Sequence, residues 1–243
     1  MARTPTDYLV LDLETVPDDQ RWQRPEGDQG GDQRPSPFPP LWAHRIVVVG
    51  CMWLDRGYGL RRMSVFGDPA ATGSADERER ALLTELSAFI GTERPVLVTF
   101  NGRSFDLPVI ALRALCHGVP IGWYYRDAGT RSRYSEQGHL DLCDWLADHG
   151  ATRSSSLDAI ARLAGLPGKI GVDGSQVEGL YRAGQLAAIE SYCLADVAQT
   201  ALVFLRFRLI QGLITPAAYR ELAGELVAAF RADPRLDPLM GGL

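Results

Sequence analysis

The sequence predicts an α/β fold in one domain, a mixed central sheet flanked by helices. Three observations carry this. Strand-like runs at 7–14, 45–55 and 58–67 come first, and the short Arg56-Gly57 link joins the last two into a hairpin. A helix and a fourth strand follow, and a strand reached through a crossover helix pairs parallel to the first. The remainder is mostly helical, which supplies cover for a sheet. A doubly wound nucleotide-binding sheet fits less well, because the residues after the first strand are ETVPDD and not a glycine-rich turn.

The elements follow in order. The first strand, in YLVLDLET, is apolar until its end. Residues 17–40 are rich in Pro, Gln, Asp, Gly and Arg, and read as a mobile loop that is long for a compact domain. RIVVVGCMWLD (45–55) and YGLRRMSVFG (58–67) are the meander strands. Residues 76–91 form a helix, with Leu82, Leu86, Phe89 and Ile90 at helical spacing. PVLVTFNG (95–102) is a strand ending in a turn, and 105–118 is a helix closed by Gly118. Residues 120–138 are irregular, aromatic and Arg-rich. HLDLCDWLADHG (139–150) starts as a short strand or turn and continues as a helix. Residues 155–168 form a Ser-capped helix with a Gly/Pro stop, followed by the loop KIGVDGSQV. Residues 185–212 form a long apolar helix. Residues 215–232 form an amphipathic one with Pro in its first turn, inside a C-terminal helical extension over 213–243.

Composition narrows the function classes. The chain has 243 residues, 46% hydrophobic and 23% charged, with a net charge of −5. That is an ordinary globular composition with enough length for a full core. The acidic balance argues against coating nucleic acid or anionic membrane, but not against a local groove or bound metal. Of 25 basic residues all but Lys169 are Arg. Cys51, Cys116, Cys143 and Cys193 form no CxxC pair and sit in apolar runs, which predicts buried free thiols in a reducing compartment. The N-terminus lacks a signal pattern, and no run is long and apolar enough to span a bilayer, so a cytoplasmic location without membrane is expected.

Three segments carry acids that a plain core does not explain. Asp12 and Glu14 share one face at the end of the first strand, and such neighbours repel unless a cation lies between them. Carboxylates without His or Cys suit Mg²⁺ or Mn²⁺. Alone, the pair also suits a chain leaving the core into solvent. In VTFNGRSFDLP, Asp106 opens a helix, where it also suits the helix N-terminus. In ESYCLADVAQ, Tyr192 and Asp196 lie on one face of a buried helix. Asp196 there needs a partner, either Tyr192 or a metal. One shared metal cluster accounts for all three segments together.

Asp12-Leu-Glu14, the stretch NGRSFD ending at Asp106, and YCLAD from Tyr192 to Asp196 resemble the three motifs of the DEDD superfamily of 3′→5′ exonucleases. The tyrosine four residues before the last Asp resembles the DEDDy branch. The sequence is most similar to the predicted exonucleases related to the exonuclease domain of family B DNA polymerases. HLDLCD at 139–144 and GKIGVDGSQV from Gly168 add to the likeness, which runs from about residue 7 to 212.

The resemblance implies a ribonuclease-H-like fold with a mixed five-stranded sheet, strand one central, as a single exonuclease domain over 1–243. It implies hydrolysis of DNA or RNA from 3′ ends, single strands favoured, releasing nucleoside 5′-monophosphates. Two divalent ions, Mg²⁺ or Mn²⁺, would lie about 3.5–4 Å apart. By position, Asp12 would bridge them, Glu14 and Asp196 would complete one shell, and Asp106 would hold the other. Tyr192 and Glu14 would orient the attacking water. Substrate contacts would come from backbone at Leu13 and Thr15, from Asn101, from Phe105 stacking on a base and from Lys169. Asn101 also suits a plain turn residue, and Lys169 a solvated one. Arg126, Arg131 and Arg133 with Tyr124, Tyr125 and Tyr134 suit either a strand-binding edge or a solvated loop.

Two other readings compete. A haloacid-dehalogenase-like phosphatase needs an Asp two residues after its first, where this chain has Glu14, and its last acids after a strand, whereas Asp196 lies within a helix. A catalytically silent nucleic-acid-binding module would be expected to have lost some of the acids.

Overall fold

The computed structural model describes residues 6–23, 38–67, 72–166 and 174–237. Its centre is a five-stranded sheet in the order β3-β2-β1-β4-β5. β1 (Tyr8–Pro17) pairs antiparallel with β2 (His44–Leu54), and β2 antiparallel with β3 (Leu60–Phe66). On the other side β1 runs parallel to β4 (Val96–Thr99), and β4 parallel to β5 (His139–Asp141). The expected mixed sheet, with strand one in the middle, is therefore observed. β1 is longer than the sequence pattern indicates. A register shift between Glu14 and Thr15 ends its clean alternation, while pairing continues to Pro17↔His44.

α1 (Ala75–Glu93) and α2 (Asp106–His117) cover one face of the sheet. A capping box of Ser74 and Glu77 starts α1. Gly118, at φ 67°, stops α2, as its position in the sequence indicates. The region expected to be irregular holds two single-turn helices, α3 (Gly122–Tyr125) and α4 (Ala128–Arg131). After β5 come α5 (Leu142–Leu146), α6 (Leu157–Leu163) and α7 (Val177–Arg182). The sequence pattern assigns no element to α7, whose six residues are too few for a periodic signal. α8 (Leu186–Ile210) and α9 (Pro216–Ala232) complete the chain of helices.

The two faces of β1 divide the core. Leu9, Leu11 and Leu13 pack toward α1 and α2 with Leu82, Leu86 and Ile110. Val10 faces α8 and meets Leu194, Val197 and Phe204. Strand alternation then carries Asp12 and Glu14 to the α8 side. Leu226 and Phe230 of α9 and Leu236 beyond it enter the core that contains α8. Cys51, Cys143 and Cys193 are buried free thiols as expected, but Cys116 is exposed, because it falls on the outward side of α2. Among the described residues, no helix is long and apolar enough to cross a membrane.

Candidate active site

The site forms where β1, the turn after β4 and the middle of α8 meet. Asp12 is half-buried and Glu14 buried. α8 reaches them because the residue opposite Asp12 in the sheet is Gly50. A Cβ at Gly50 would stand 2.9 Å from the Cys193 sulfur and 3.2 Å from a Val197 methyl. With no side chain there, Cys193 Sγ comes to 3.4 Å from the Asp12 carbonyl and 3.6 Å from its Oδ2. One carboxylate oxygen each of Asp12 and Glu14 and the Cys193 sulfur lie within 4.8 Å of one another.

Asp106 is buried at the first position of α2. It does not cap that helix, whose N-cap is Phe105 without a side-chain hydrogen bond. Its carboxylate accepts the amides of Asp106 itself and of Leu13, which ties α2 to β1 between the two acids of that strand. Burial pushes its pKa up to about 7, the charges of Asp141 and Asp196 push the same way, and those two amides hold it back. Asp196, also buried, belongs to the same electrostatic neighbourhood. The Cys193 thiol is raised well above its ordinary value by burial and then by the charges of Asp12, Glu14 and Asp196. Four acids from three elements thus share one site. Tyr192 lies one turn before Asp196, half-buried beside Val16, Val48 and Cys193. Its hydroxyl stands 3.7 Å from where a Gly174 Cβ would be.

A buried carboxylate that the motifs leave without a role shapes the turn carrying Asp106. Asp141 is 1% exposed and accepts the amides of Asn101 and Arg103, each at 2.8 Å, and those of Cys143 and Asp144 at 3.0 and 3.3 Å. Burial raises its pKa, and the amides of Arg103, Asn101 and Asp144 counter that rise. Its sequence signal is that of an N-cap: a short strand, then Asp, then a helix. Asn101 adopts φ 68° and is exposed, as its turn reading requires. Gly102 is obligatory, since a Cβ there would lie 2.4 Å from Thr99 Oγ1.

The other expected contacts are distributed around this centre. Leu13 is buried, with its amide on Asp106. Thr15 Oγ1 bonds His44 Nδ1 at 2.8 Å. Phe105 is half-buried and packs against the core on the α1 and α2 side of the sheet. Lys169 and the preceding Gly168 lie outside the described residues. In the aromatic and basic segment, the Arg131 guanidinium covers the Tyr124 and Tyr125 rings at 5.9 and 5.5 Å. Arg133 instead pairs with Asp144. Arg103 donates to the Arg131 and Ser132 carbonyls, linking this segment to the Asn101 turn.

The donor chemistry fits divalent metal. Clustered carboxylate oxygens are the hard ligands that Mg²⁺ and Mn²⁺ take. Among the described residues, a second group with ligand-like spacing is Asp76, Glu79 and His117. There the guanidiniums of Arg45 and Arg113 already supply the positive charge.

Comparison with known proteins shows the family and the fold. Residues 36–237 match the family described as predicted 3′-5′ exonuclease related to the exonuclease domain of PolB. The match extends beyond 212, through α9, and begins after β1, so Asp12 and Glu14 connect to it through the sheet. The family B DNA polymerase of Pyrobaculum calidifontis shares the fold, with TM-score 0.56 and 20% identity over 85% of this chain and 25% of that one. Escherichia coli exonuclease I, solved with a 5cy-dA13 oligonucleotide, has TM-score 0.50 and 12% identity over 92% of this chain and 45% of its own. This chain thus spans a quarter of the polymerase and under half of the exonuclease. No curated protein matches.

Proposed function

The chain belongs to the family of predicted 3′-5′ exonucleases related to the exonuclease domain of PolB, and from that premise we propose that it hydrolyses DNA or RNA from the 3′ end. The whole of 1–243 acts as one nuclease domain of the DEDDy type. Asp12, Glu14, Asp106 and Asp196 hold two divalent cations, Mg²⁺ or Mn²⁺. When bound, these supply Lewis-acid stabilisation of the charge on the phosphodiester and the leaving oxygen. Tyr192 and Glu14 orient the attacking water. Its oxygen bonds to phosphorus, the bond from phosphorus to the 3′ oxygen breaks, and that oxygen takes up a proton. A nucleoside 5′-monophosphate leaves. Leu13 and Thr15 hold the terminal nucleotide through their backbone, Asn101 and Lys169 contact the strand, and Phe105 stacks on a base.

The observation that supports this reading is the convergence of acids from β1, α2 and α8. Their mutual repulsion costs folding energy that cation binding offsets. A ladder assay on 5′-labelled DNA and RNA with Mg²⁺, Mn²⁺ or EDTA tests activity, polarity, metal and sugar together. Stepwise shortening from the 3′ end that stops in EDTA is expected. Asp12→Ala abolishes it and Tyr192→Phe slows it less. Activity surviving EDTA or Asp12→Ala overturns the assignment, and binding without shortening points to a silent binding module.

A further inference from the structure

Three aromatic rings meet beside the segments that carry Glu14 and Asp106. His44 and Phe105 pack edge to face, with centroids 5.0 Å apart at 87°. Phe38 rests on both, 4.9 Å from His44 and 5.9 Å from Phe105. His44 is fixed through both ring nitrogens. A carbonyl only accepts, so Nε2–H donates to Pro39 O at 2.9 Å, and Nδ1 accepts from the Thr15 hydroxyl at 2.8 Å. Burial keeps the His44 pKa below the ordinary value, which favours the neutral imidazole with its proton on Nε2. The chain of contacts runs from Glu14 through its neighbour Thr15 to His44, and on to Phe38. On the other side, Phe105 directly precedes Asp106. The cluster is thus tied to two of the proposed metal ligands.

Phe38 itself remains 73% exposed. Folding gains little from a phenylalanine that hides so little surface. Nor is the ring needed to anchor the chain here, since the Pro39–His44 bond and the 2.8 Å bond from the Asp18 amide to the Ala43 carbonyl already do so.

We propose that Phe38 is a substrate-binding residue, forming with Phe105 a stacking platform for the unpaired nucleobase at the 3′ end. This rests on the nuclease reading and adds a residue and a selection rule to it. Every base offers a π face, so the platform is indifferent to sequence. It demands that the terminal base be unpaired, which selects single strands or frayed ends.

The test crosses the side chain with the base. Binding of the full-length protein to 5′-fluorescein oligothymidylates, with an intact or an abasic 3′-terminal nucleotide, is measured by anisotropy. Calcium replaces magnesium, and the absence of shortening is verified on the same samples. Loss of the base weakens wild-type binding by about tenfold, the scale of one base–aromatic stack. Phe38→Ala weakens the intact oligonucleotide by a similar factor and leaves the abasic one unchanged, while Phe38→Trp restores the difference. Equal weakening of both oligonucleotides, or of neither, overturns the proposal while leaving the nuclease reading intact. Wild-type protein that neither binds nor shortens either oligonucleotide overturns both.

Discussion

Asp106 shows at the level of one residue what the site costs. Its carboxyl is buried, pushed up to about 7 by that burial and then by the charges of Asp141 and Asp196. An ionised group there opposes folding unless a cation is present. Asp106→Asn keeps the shape and removes the charge. In EDTA at pH 8 the variant is expected to melt several degrees above wild type, by differential scanning fluorimetry, and with Mg²⁺ or Mn²⁺ to have lost nuclease activity. A lower melting temperature would mean that Asp106 is needed for folding. The acids are legible in the sequence because strand and helix spacing place Asp12 with Glu14 and Tyr192 with Asp196. The supporting residues are not. Asp141 clasps the turn holding Asn101 and Arg103 across a separation of 38–40 positions, and local pattern does not encode which distant amides a buried carboxylate accepts.

Among elements, the seating of α8 on the sheet decides whether Asp196 reaches Asp12. Gly50 permits that seating, with no room for a Cβ against Cys193 and Val197. Gly50→Ala is expected to cost about 1–3 kcal/mol by overpacking, and to lower kcat by moving α8. Cys193→Ala in the same chain frees the space, and recovery of kcat in the double variant, with melting curves alongside, checks the account. Gly50 was invisible in the sequence because its meaning depends on the register Asp12↔Gly50. A second inter-element device is the buried ion network where β1 hands over to the following loop. Asp18, fully buried, pairs with Arg45 at 3.0 Å and Arg113 at 2.8 Å, and Arg113 also bonds Glu79. Burial pushes the Asp18 carboxyl up, but Arg113, Arg45 and Arg21 outweigh it and hold it below its ordinary value. A depressed carboxylate contributes stability above the unfolded pKa of about 4, lost as pH falls through the lower folded value. Asp18→Asn removes one shared carboxylate from two buried guanidiniums, which keep Glu79 and Asp76 as partners, and should cost about 1–3 kcal/mol at pH 7. In denaturant melts, that difference should shrink steadily as pH falls below about 4.

For the whole molecule, the distribution of charge sets how a strand is held. The chain carries −5 despite 24 arginines, and much of its positive charge is consumed internally. Arg45 and Arg113 are buried among acids, Arg208 pairs with Glu136, Arg182 with Glu178 and Asp19, and Arg235 with Asp233. Composition argues against a phosphate-coating protein and pattern indicates a mixed sheet, but neither shows which arginines are paired. The strands carry local signals, whereas the fate of each arginine is decided only in the folded chain. The arginines in these pairs are not available to track a backbone. On the proposed reading, recognition falls on the end of the strand, at the acids and the rings beside them. Each phosphate neutralised on a single strand contributes a slope of about −0.7 to log K against log salt. With one or two such contacts, the observed slope should stay shallower than about −2. On that reading affinity should also level off once an oligonucleotide is a few nucleotides long, because added length gains little from a chain of net charge −5. Anisotropy titrations of single strands of increasing length between low and moderate salt measure both quantities. A steep slope that grows with length would reveal an extended basic track and move recognition from the strand's end to its backbone.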